Sequence, residues 1–126
     1  MGETNWMAGH VRTAAAGVVK VQTEVGTMEV HTAEGWSAGQ AVWVGFRPEA
    51  VQVGEQTVNH LATTIRRVTY LGETEQYVLE VATGLSLKAC EQNPLVIRSA
   101  GASLPVHVRP VDIFLLPRTD QEPAGG

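Results

Sequence analysis

Residues 39–53 read Gly39-Gln-Ala-Val-Trp-Val-Gly-Phe-Arg-Pro-Glu-Ala-Val-Gln-Val53, and residues 101–115 read Gly101-Ala-Ser-Leu-Pro-Val-His-Val-Arg-Pro-Val-Asp-Ile-Phe-Leu115. The two stretches align without gaps, with a glycine at the first position of each and an Arg-Pro pair at the same step. The shared apolar positions are Val42, Val44, Phe46, Val51 and Val53 in the first copy and Leu104, Val106, Val108, Ile113 and Leu115 in the second. Alternation with a period of two is typical of a strand with one buried face. The repeat therefore predicts two similar strand–turn–strand units that follow the same backbone path.

Short runs rich in Val, Ile, Thr and Tyr make up most of the remaining chain, and Gly, Asn and Pro separate them. This pattern is typical of strands, and no long segment shows apolar residues at helical spacing. Residues 18–23 and 28–32 predict one hairpin, and further strands are predicted at 41–47, 64–71, 75–81, 86–90 and 104–108. The expected fold is all-β, and the spacing of the strands suits a barrel or a sandwich in which two similar β units pack together.

The chain has 126 residues, enough for one domain with its own core. We expect a linker at 1–8, one β domain at 9–117 with halves at about 9–58 and 59–117, and a flexible tail at 118–126. Asn93 and Pro94 punctuate the longest irregular stretch.

The amino-acid composition and charge of the chain exclude some classes of function. Hydrophobic residues make up 44% of the chain and charged residues 17%, which is ordinary for a globular protein. The net charge is −4 and the nine Lys and Arg residues are scattered, so the chain offers no basic stripe for a phosphate backbone. No signal sequence or apolar run of membrane-spanning length is present, and the single cysteine, Cys90, fits a reducing compartment. Neither nucleic acid nor direct membrane insertion is expected.

Four segments resemble a known family. Val44-Gly-Phe-Arg-Pro-Glu-Ala-Val51 is similar to a segment of TOBE domains, which follow the ATPase domain in ABC importers of the maltose, glycerol-phosphate and spermidine/putrescine types. Three further segments resemble the family's starting, second-half and closing strands, in that order: Asn5-Trp-Met-Ala-Gly-His-Val11, Thr64-Ile-Arg-Arg-Val-Thr-Tyr-Leu-Gly72 and Val106-His-Val-Arg-Pro-Val-Asp-Ile-Phe114.

The resemblance implies an OB-fold-like barrel built from two similar β halves, so that residues 9–117 form a TOBE/OB-like domain and residues 1–8 link it to an ATPase domain. It also implies a regulatory and dimerisation domain of an importer ATPase that contacts its own ATPase domain and a second copy, with permease subunits reached through the parent protein. It also implies a cytoplasmic location, peripheral to the inner side of the cell membrane. The chain has no Gly-x-x-x-x-Gly-Lys-Ser/Thr loop, so ATP and Mg are implied only for the ATPase domain. We expect no cofactor and no enzyme activity in this chain. The Ser-Ala-Arg-Asn start of molybdate-binding relatives is also absent.

Arg47 and Arg109 are the candidate ligand or regulatory contacts, because each precedes a proline and together they offer two equivalent guanidinium groups. The alternative is a structural role at the turn, either a salt bridge with Glu49 or Asp112 as partner or hydrogen bonds from the guanidinium group to backbone carbonyls. Aromatic residues at strand ends or outer faces are the interface candidates, namely Trp36, Trp43 and Phe114. Their alternative is packing between the two halves of one chain.

Other chemically active residues favour ordinary roles. The histidines lack the spacing of a zinc site, and Cys90 is expected to be a small buried hydrophobic residue. Glu73, Glu75 and Glu80 lie at or beside a predicted hairpin turn, where their charges are expected to be solvated. Two further hypotheses stay open: a small-ligand (oxyanion) binding module, and a free-standing nucleic-acid-binding OB domain whose tryptophans stack on bases.

Overall fold

The computed structural model describes residues 3–92 and 96–118 of the chain. Within them lie ten strands and two single-turn 3-10 helices, in the order β1 (Asn5–Ala15), β2 (Val18–Thr23), β3 (Gly26–His31), β4 (Ala41–Phe46), η1 (Pro48–Ala50), β5 (Val51–Val53), β6 (His60–Leu71), β7 (Thr74–Glu80), β8 (Ser86–Gln92), β9 (Ser103–Val108), η2 (Pro110–Asp112) and β10 (Phe114–Pro117). Asn93, Pro94 and residues 119–126 of the predicted tail lie outside the described residues.

The strands form two five-stranded antiparallel sheets that enclose one core. The first sheet has the order β10-β4-β1-β2-β3, and the second has the order β5-β9-β6-β7-β8. Each half of the chain therefore builds four strands of one sheet and supplies its fifth strand to the other sheet. The prediction of an all-β, OB-fold-like barrel made of two similar halves is confirmed. The exchange of β5 and β10 means that neither sheet belongs to one half alone.

The sequence repeat corresponds to a structural repeat. β4 and η1 align residue for residue with β9 and η2. Gly39 and Gly101, at the start of the two copies, have φ angles of +88° and +92°, a region that glycine adopts without strain. The Gly39 N–H donates to the Val11 carbonyl at 2.7 Å, and the Gly101 N–H donates to the Ile65 carbonyl at 2.7 Å. The two glycines thus make equivalent turns, each onto the corresponding strand of its own half, β1 for Gly39 and β6 for Gly101.

The repeat also includes β1 and β6, which the aligned segments do not cover. The pairing of β1 with β2 shifts register between Val11 and Thr13, and the pairing of β6 with β7 shifts between Ile65 and Arg67. A bulge of this kind bends and twists a strand, so both halves curve at equivalent points. β1 begins at Asn5, so residues 5–8 of the predicted linker already belong to a strand.

The core lies between the sheets. Val44 and Val106, at equivalent positions of the repeat, have no exposed surface. The inward register predicted for the repeat is confirmed, since its ten shared apolar positions are all buried except Val53, which is half-buried and packs against the core.

Candidate functional site

Arg47 and Arg109 precede η1 and η2, and the exchange of β5 and β10 brings them together. Both line one shallow groove of about 370 Å³, together with Glu49, Asp112 and Phe114. Each arginine is extended, with ψ angles of 154° and 140°, as expected for a residue before proline. The groove therefore holds the two equivalent guanidinium groups that the repeat predicted.

The two arginines are not equally available to a ligand. The Arg109 Nε donates to Asp112 Oδ2 at 2.9 Å, which is the turn salt bridge that the sequence left as an alternative. Within the described residues Arg47 forms no salt bridge, although Glu49 lines the same groove. The groove thus contains two cations and two carboxylates, and one pair is already satisfied.

A second surface lies on the outer side of β1, β4 and β10. Strand pairing arranges its residues in three rows across the sheet, which we call the aromatic face: Trp6, Gly45 and Phe114; Ala8, Trp43 and Leu116; His10, Ala41 and Arg118. Phe114 is 36% exposed and Leu116 is 40% exposed, while both tryptophans are half-buried. Two of the three aromatic interface candidates, Trp43 and Phe114, therefore share one surface.

The aromatic side chains of this face are ordered by their neighbours. Trp6 and Phe114 pack edge to face, with ring centroids 5.5 Å apart and an interplanar angle of 86°. A Cβ at Gly45 would lie 2.5 Å from Trp6 Cζ3 and 2.6 Å from Phe114 Cε2, so only glycine leaves room for this pair. Arg118 lies over Trp43, with Cζ 6.0 Å from the ring centroid, in a cation–π arrangement.

Trp36 is separate from the aromatic face. It lies in the loop that connects β3 to β4, is half-buried, and packs against the hydrophobic core. The prediction that Trp36, Trp43 and Phe114 contact a second copy stays a prediction, but Trp36 has a packing role within the chain.

The expectation of solvated carboxylates near the β6–β7 turn is wrong for Glu75. Glu75 is only 7% exposed, and the Tyr77 hydroxyl lies 2.7 Å from its Oε2 and 2.6 Å from Glu91 Oε1. The Arg98 Nε donates to Glu91 Oε1 at 2.8 Å. Glu80 behaves as an ordinary surface charge, in a pair with Arg66. Sequence reasoning missed this cluster because its members come from three separate segments.

Two pKa shifts follow from the buried cluster. Burial and the hydrogen bonds to Glu91 and Glu75 raise the pKa of the Tyr77 phenol, because each of them disfavours the phenolate. Burial alone would raise the pKa of Glu91, but hydrogen bonds from Arg98 and Tyr77 outweigh it and lower that pKa. The cluster thus holds a neutral phenol beside an ionised carboxylate and its arginine.

Cys90 lies in a separate cleft of about 290 Å³ with Glu3, Glu49, Arg67 and Lys88. Burial and the nearby Glu49 carboxylate raise the pKa of the Cys90 thiol, so little of it is in the reactive thiolate form. Across residues 3–92 and 96–118, no group of three or more His, Cys, Asp or Glu side chains is placed to hold a metal ion.

A sequence model described as the TOBE domain matches residues 44–116, more than half of the chain. The chain belongs to the TOBE domain family. The resemblance seen in the sequence is therefore confirmed, and Arg47, Arg109 and Phe114 all lie within the matched part of the TOBE domain.

Two known proteins are similar to this TOBE domain. The spermidine/putrescine import ATP-binding protein PotA of Rubrobacter xylanophilus is 33% identical over 96 residues, which are 74% of this chain and 26% of that protein. The chain thus spans about a quarter of that relative's length. A crystal structure of the cytoplasmic molybdate-binding protein ModG with molybdate bound matches with a TM-score of 0.76 and 17% identity, over 88% of this chain and 94% of ModG. At that identity, the match to ModG shows a common fold.

No helix within the described part of the chain is long and apolar enough to cross a membrane.

Proposed function

We propose that this TOBE domain is a non-catalytic regulatory and dimerisation domain of an ABC importer ATPase, and that it supports ATP-driven solute uptake. The observation that carries the proposal is the 33% identity, over 96 residues, with a protein named as the ATP-binding protein of a spermidine/putrescine importer. The partners would be its own ATPase domain, a second copy and, through the parent protein, the permease subunits. ATP and Mg would bind to the ATPase domain, on the cytoplasmic side of the membrane.

The chemistry of the described residues supports a contact role rather than a catalytic one. Arg109, Glu80 and Glu91 are held in ion pairs within the chain. The Cys90 thiol, the strongest potential nucleophile, has a raised pKa. Charged side chains held in such pairs are less available for acid–base chemistry on a substrate.

A chimera tests the proposal directly. In the Rubrobacter protein, the region aligned with this chain is replaced by this TOBE domain, and ATP hydrolysis is compared with that of the parent and of a version lacking the region. We expect the chimera to retain most of the parent's ATPase activity, while the shortened protein loses activity or dimerisation. A chimera no more active than the shortened protein contradicts the proposal.

The isolated chain provides two further measurements. Calorimetry should detect no ATP binding, since the sequence lacks the loop that binds nucleotide phosphates. Sedimentation equilibrium should show a weak, concentration-dependent dimer, because the isolated domain lacks the contacts and tethering of a longer protein. A monomer at every concentration would remove dimerisation from the proposal and leave regulation to the chimera test.

A second candidate function is binding of a small anion in the groove of Arg47 and Arg109. The observation that favours it is that both guanidinium groups line one groove. Titration with molybdate, phosphate and a dicarboxylate tests it, with Arg47→Gln as the variant and Arg66→Gln, at an exposed surface arginine, as the control. Saturable binding that Arg47→Gln abolishes and Arg66→Gln preserves would support this function. Equal behaviour of the two variants would contradict it.

A further inference from the structure

The duplicated fold provides an internal comparison for the aromatic face. The outer side of β6, β9 and β5 in the second sheet occupies the equivalent position and uses the same strand pairings. Its rows are His60, His107 and Gln52; Ala62, Pro105 and Gly54; Thr64 and Ser103. Trp6, Trp43 and Phe114 are thus replaced by His60, Pro105 and Gln52. The equivalent surface of the second sheet thus forms without aromatic side chains, so the shared fold does not require those of the first sheet.

The one charged side chain among the nine positions of the aromatic face is Arg118, whose Nη2 donates to the Gly9 carbonyl at 3.3 Å and to His10 Nε2 at 3.2 Å. His10 and Arg118 form its third row, and Arg12 reaches the adjacent Gln22, which pairs with His10 across β1 and β2. None of the nine positions of the face carries a carboxylate, whereas the chain as a whole has a net charge of −4. An exposed apolar surface with Arg118 at its edge and Arg12 beside it complements a partner that offers apolar side chains and carboxylates.

We propose that the aromatic face is a docking surface for a protein segment in which carboxylates flank apolar side chains. Trp and Arg are the residues most often responsible for binding energy at such surfaces. Exposed Phe114 and Leu116 would contact the apolar side chains of the partner. Arg118 and Arg12 would lie beside its carboxylates. The proposal does not depend on whether the parent protein is an importer ATPase.

Two other occupants fit the face less well. A second copy packed face to face would bring another Arg118, and none of the nine positions of its face carries a carboxylate to pair with it. Single-stranded nucleic acid needs free aromatic ring faces for stacking. Arg118 already lies over the Trp43 ring, and the Trp6 and Phe114 rings contact each other edge to face.

The test uses a fluorescently labelled synthetic peptide that alternates Glu with Leu and Phe, a counterpart with Lys in place of each Glu, and oligo(dT). Anisotropy measures binding to the full chain. The key variant is Ala8→Asp, which places a carboxylate in the middle row. The matched control is Ala62→Asp at the equivalent position of the second sheet. We expect the acidic peptide alone to bind, and Ala8→Asp to weaken it by about tenfold or more while Ala62→Asp leaves it unchanged.

Two further variants keep the result interpretable. If Ala8→Asp fails to fold, Leu116→Ser removes an apolar contact from a side chain that is already 40% exposed. Arg118→Glu should shift the preference from the acidic peptide toward its lysine counterpart. A surface that binds apolar peptides without regard to their charge would not show this shift.

Several outcomes would overturn the proposal. These are no binding of the acidic peptide, equal binding of the two peptides, preference for oligo(dT), and equal effects of Ala8→Asp and Ala62→Asp. Asp120 and Glu122 follow Arg118 in the sequence, so a chain ending at Arg118 is tested in parallel. Binding seen only with that shortened chain would assign the face to the chain's own tail. Loss of sedimentation dimers in Ala8→Asp would assign it to a second copy.

Discussion

Asn5 and Asn59 make equivalent contacts between the two sheets. Asn5 of the first sheet binds β8 of the second sheet, and Asn59, just before β6 of the second sheet, binds β3 of the first. The Asn5 side chain accepts from the Lys88 N–H at 2.8 Å and donates to the Lys88 carbonyl at 2.9 Å. The Asn59 side chain accepts from the Glu29 N–H at 2.8 Å and donates to the Glu29 carbonyl at 2.9 Å. Lys88 lies on β8 and Glu29 on β3, the outer edges of their sheets. Each asparagine thus binds an edge strand as a neighbouring strand would, and protects an edge that could otherwise pair with another chain.

Replacing either asparagine should destabilise the domain, and Asn59 should matter more. Asn59 also donates to the Val108 carbonyl at 3.0 Å, and its φ of +54° is strained for most residues other than glycine. We expect Asn5→Ala to lower the free energy of unfolding by about 1–3 kcal/mol, since backbone groups at an edge strand lose their partner. Asn59→Ala should cost more, and Asn59→Gly should cost less than Asn59→Ala because glycine relieves the φ strain.

Urea unfolding at pH 7 measures these differences, with Gln56→Ala on the exposed loop before Asn59 as the control. An Asn59→Gly variant as unstable as Asn59→Ala would show that the φ angle contributes nothing. An Asn5→Ala variant as stable as the control would show that the edge contact is not needed.

The sequence predicted the strands well because their signal is local. Alternation places Val44 and Val106 in the core, and Gly39 and Gly101 mark the same turn in both halves. Alternation cannot tell which sheet a strand joins, so the exchange of β5 and β10 was not predicted. The repeated Arg-Pro pairs were recognised as equivalent, but only the exchange places Arg47 and Arg109 in one groove.

The missed features depend on contacts between distant segments. A glutamate near a turn is usually solvated, and nothing close to Glu75 in the sequence signals that Tyr77, Glu91 and Arg98 surround it. The aromatic face was recognised only in part, because Trp6 lies far from Phe114 in the sequence and Gly45 gives no sign that it accommodates both rings.

Charged substitutions should confirm that both copies of the repeat face one core. Val44 and Val106 have no exposed surface, so Val44→Asp and Val106→Asp each bury a carboxylate without a partner. We expect each variant to lose several kcal/mol of stability, enough to unfold a domain of this size. Thr64→Asp, at an exposed position of β6, should retain the wild-type melting temperature within a few degrees. Circular dichroism melting curves decide the matter, and a cooperative melt near that of wild type in either valine variant would refute the burial argument.

A methyl group at Gly45 should disturb the Trp6–Phe114 pair. The Cβ of Gly45→Ala would approach ring atoms of both side chains within 2.6 Å, so the rings must move. We expect a loss of about 1–3 kcal/mol in unfolding free energy and a changed near-UV circular dichroism spectrum. Gly35→Ala is the matched control, because a Cβ there meets nothing within 4 Å. If the two variants have the same stability and spectrum, Gly45 does not hold the rings in place.

Acid should weaken the domain through Glu91. Its pKa is below the ordinary value of 4.5 when folded, so its contribution to stability is present above pH 4.5 and is lost as the pH falls through the folded pKa. Glu91→Gln should therefore be less stable than wild type at pH 7, and the difference should shrink below pH 4.5. Glu80→Gln is the control, since its exposed pair with Arg66 contributes little. Urea unfolding between pH 3 and pH 7 tests this, and a difference that stays constant over that range would contradict it.

Alkali should weaken the domain through Tyr77. Its pKa is raised above the ordinary value of 10.0 by burial and by the two glutamates, so its contribution is present below pH 10.0 and is lost as the pH rises above it. Tyr77→Phe removes this dependence and also the hydrogen bond to buried Glu75, so the variant should be less stable at pH 7 but lose less stability between pH 9 and pH 11. Tyr70, the other tyrosine, is 60% exposed, and Tyr70→Phe should keep the wild-type slope. Guanidinium unfolding over this range separates the cases. A Tyr77→Phe variant that follows the wild-type slope would show that another group, not this phenol, titrates on unfolding in alkali.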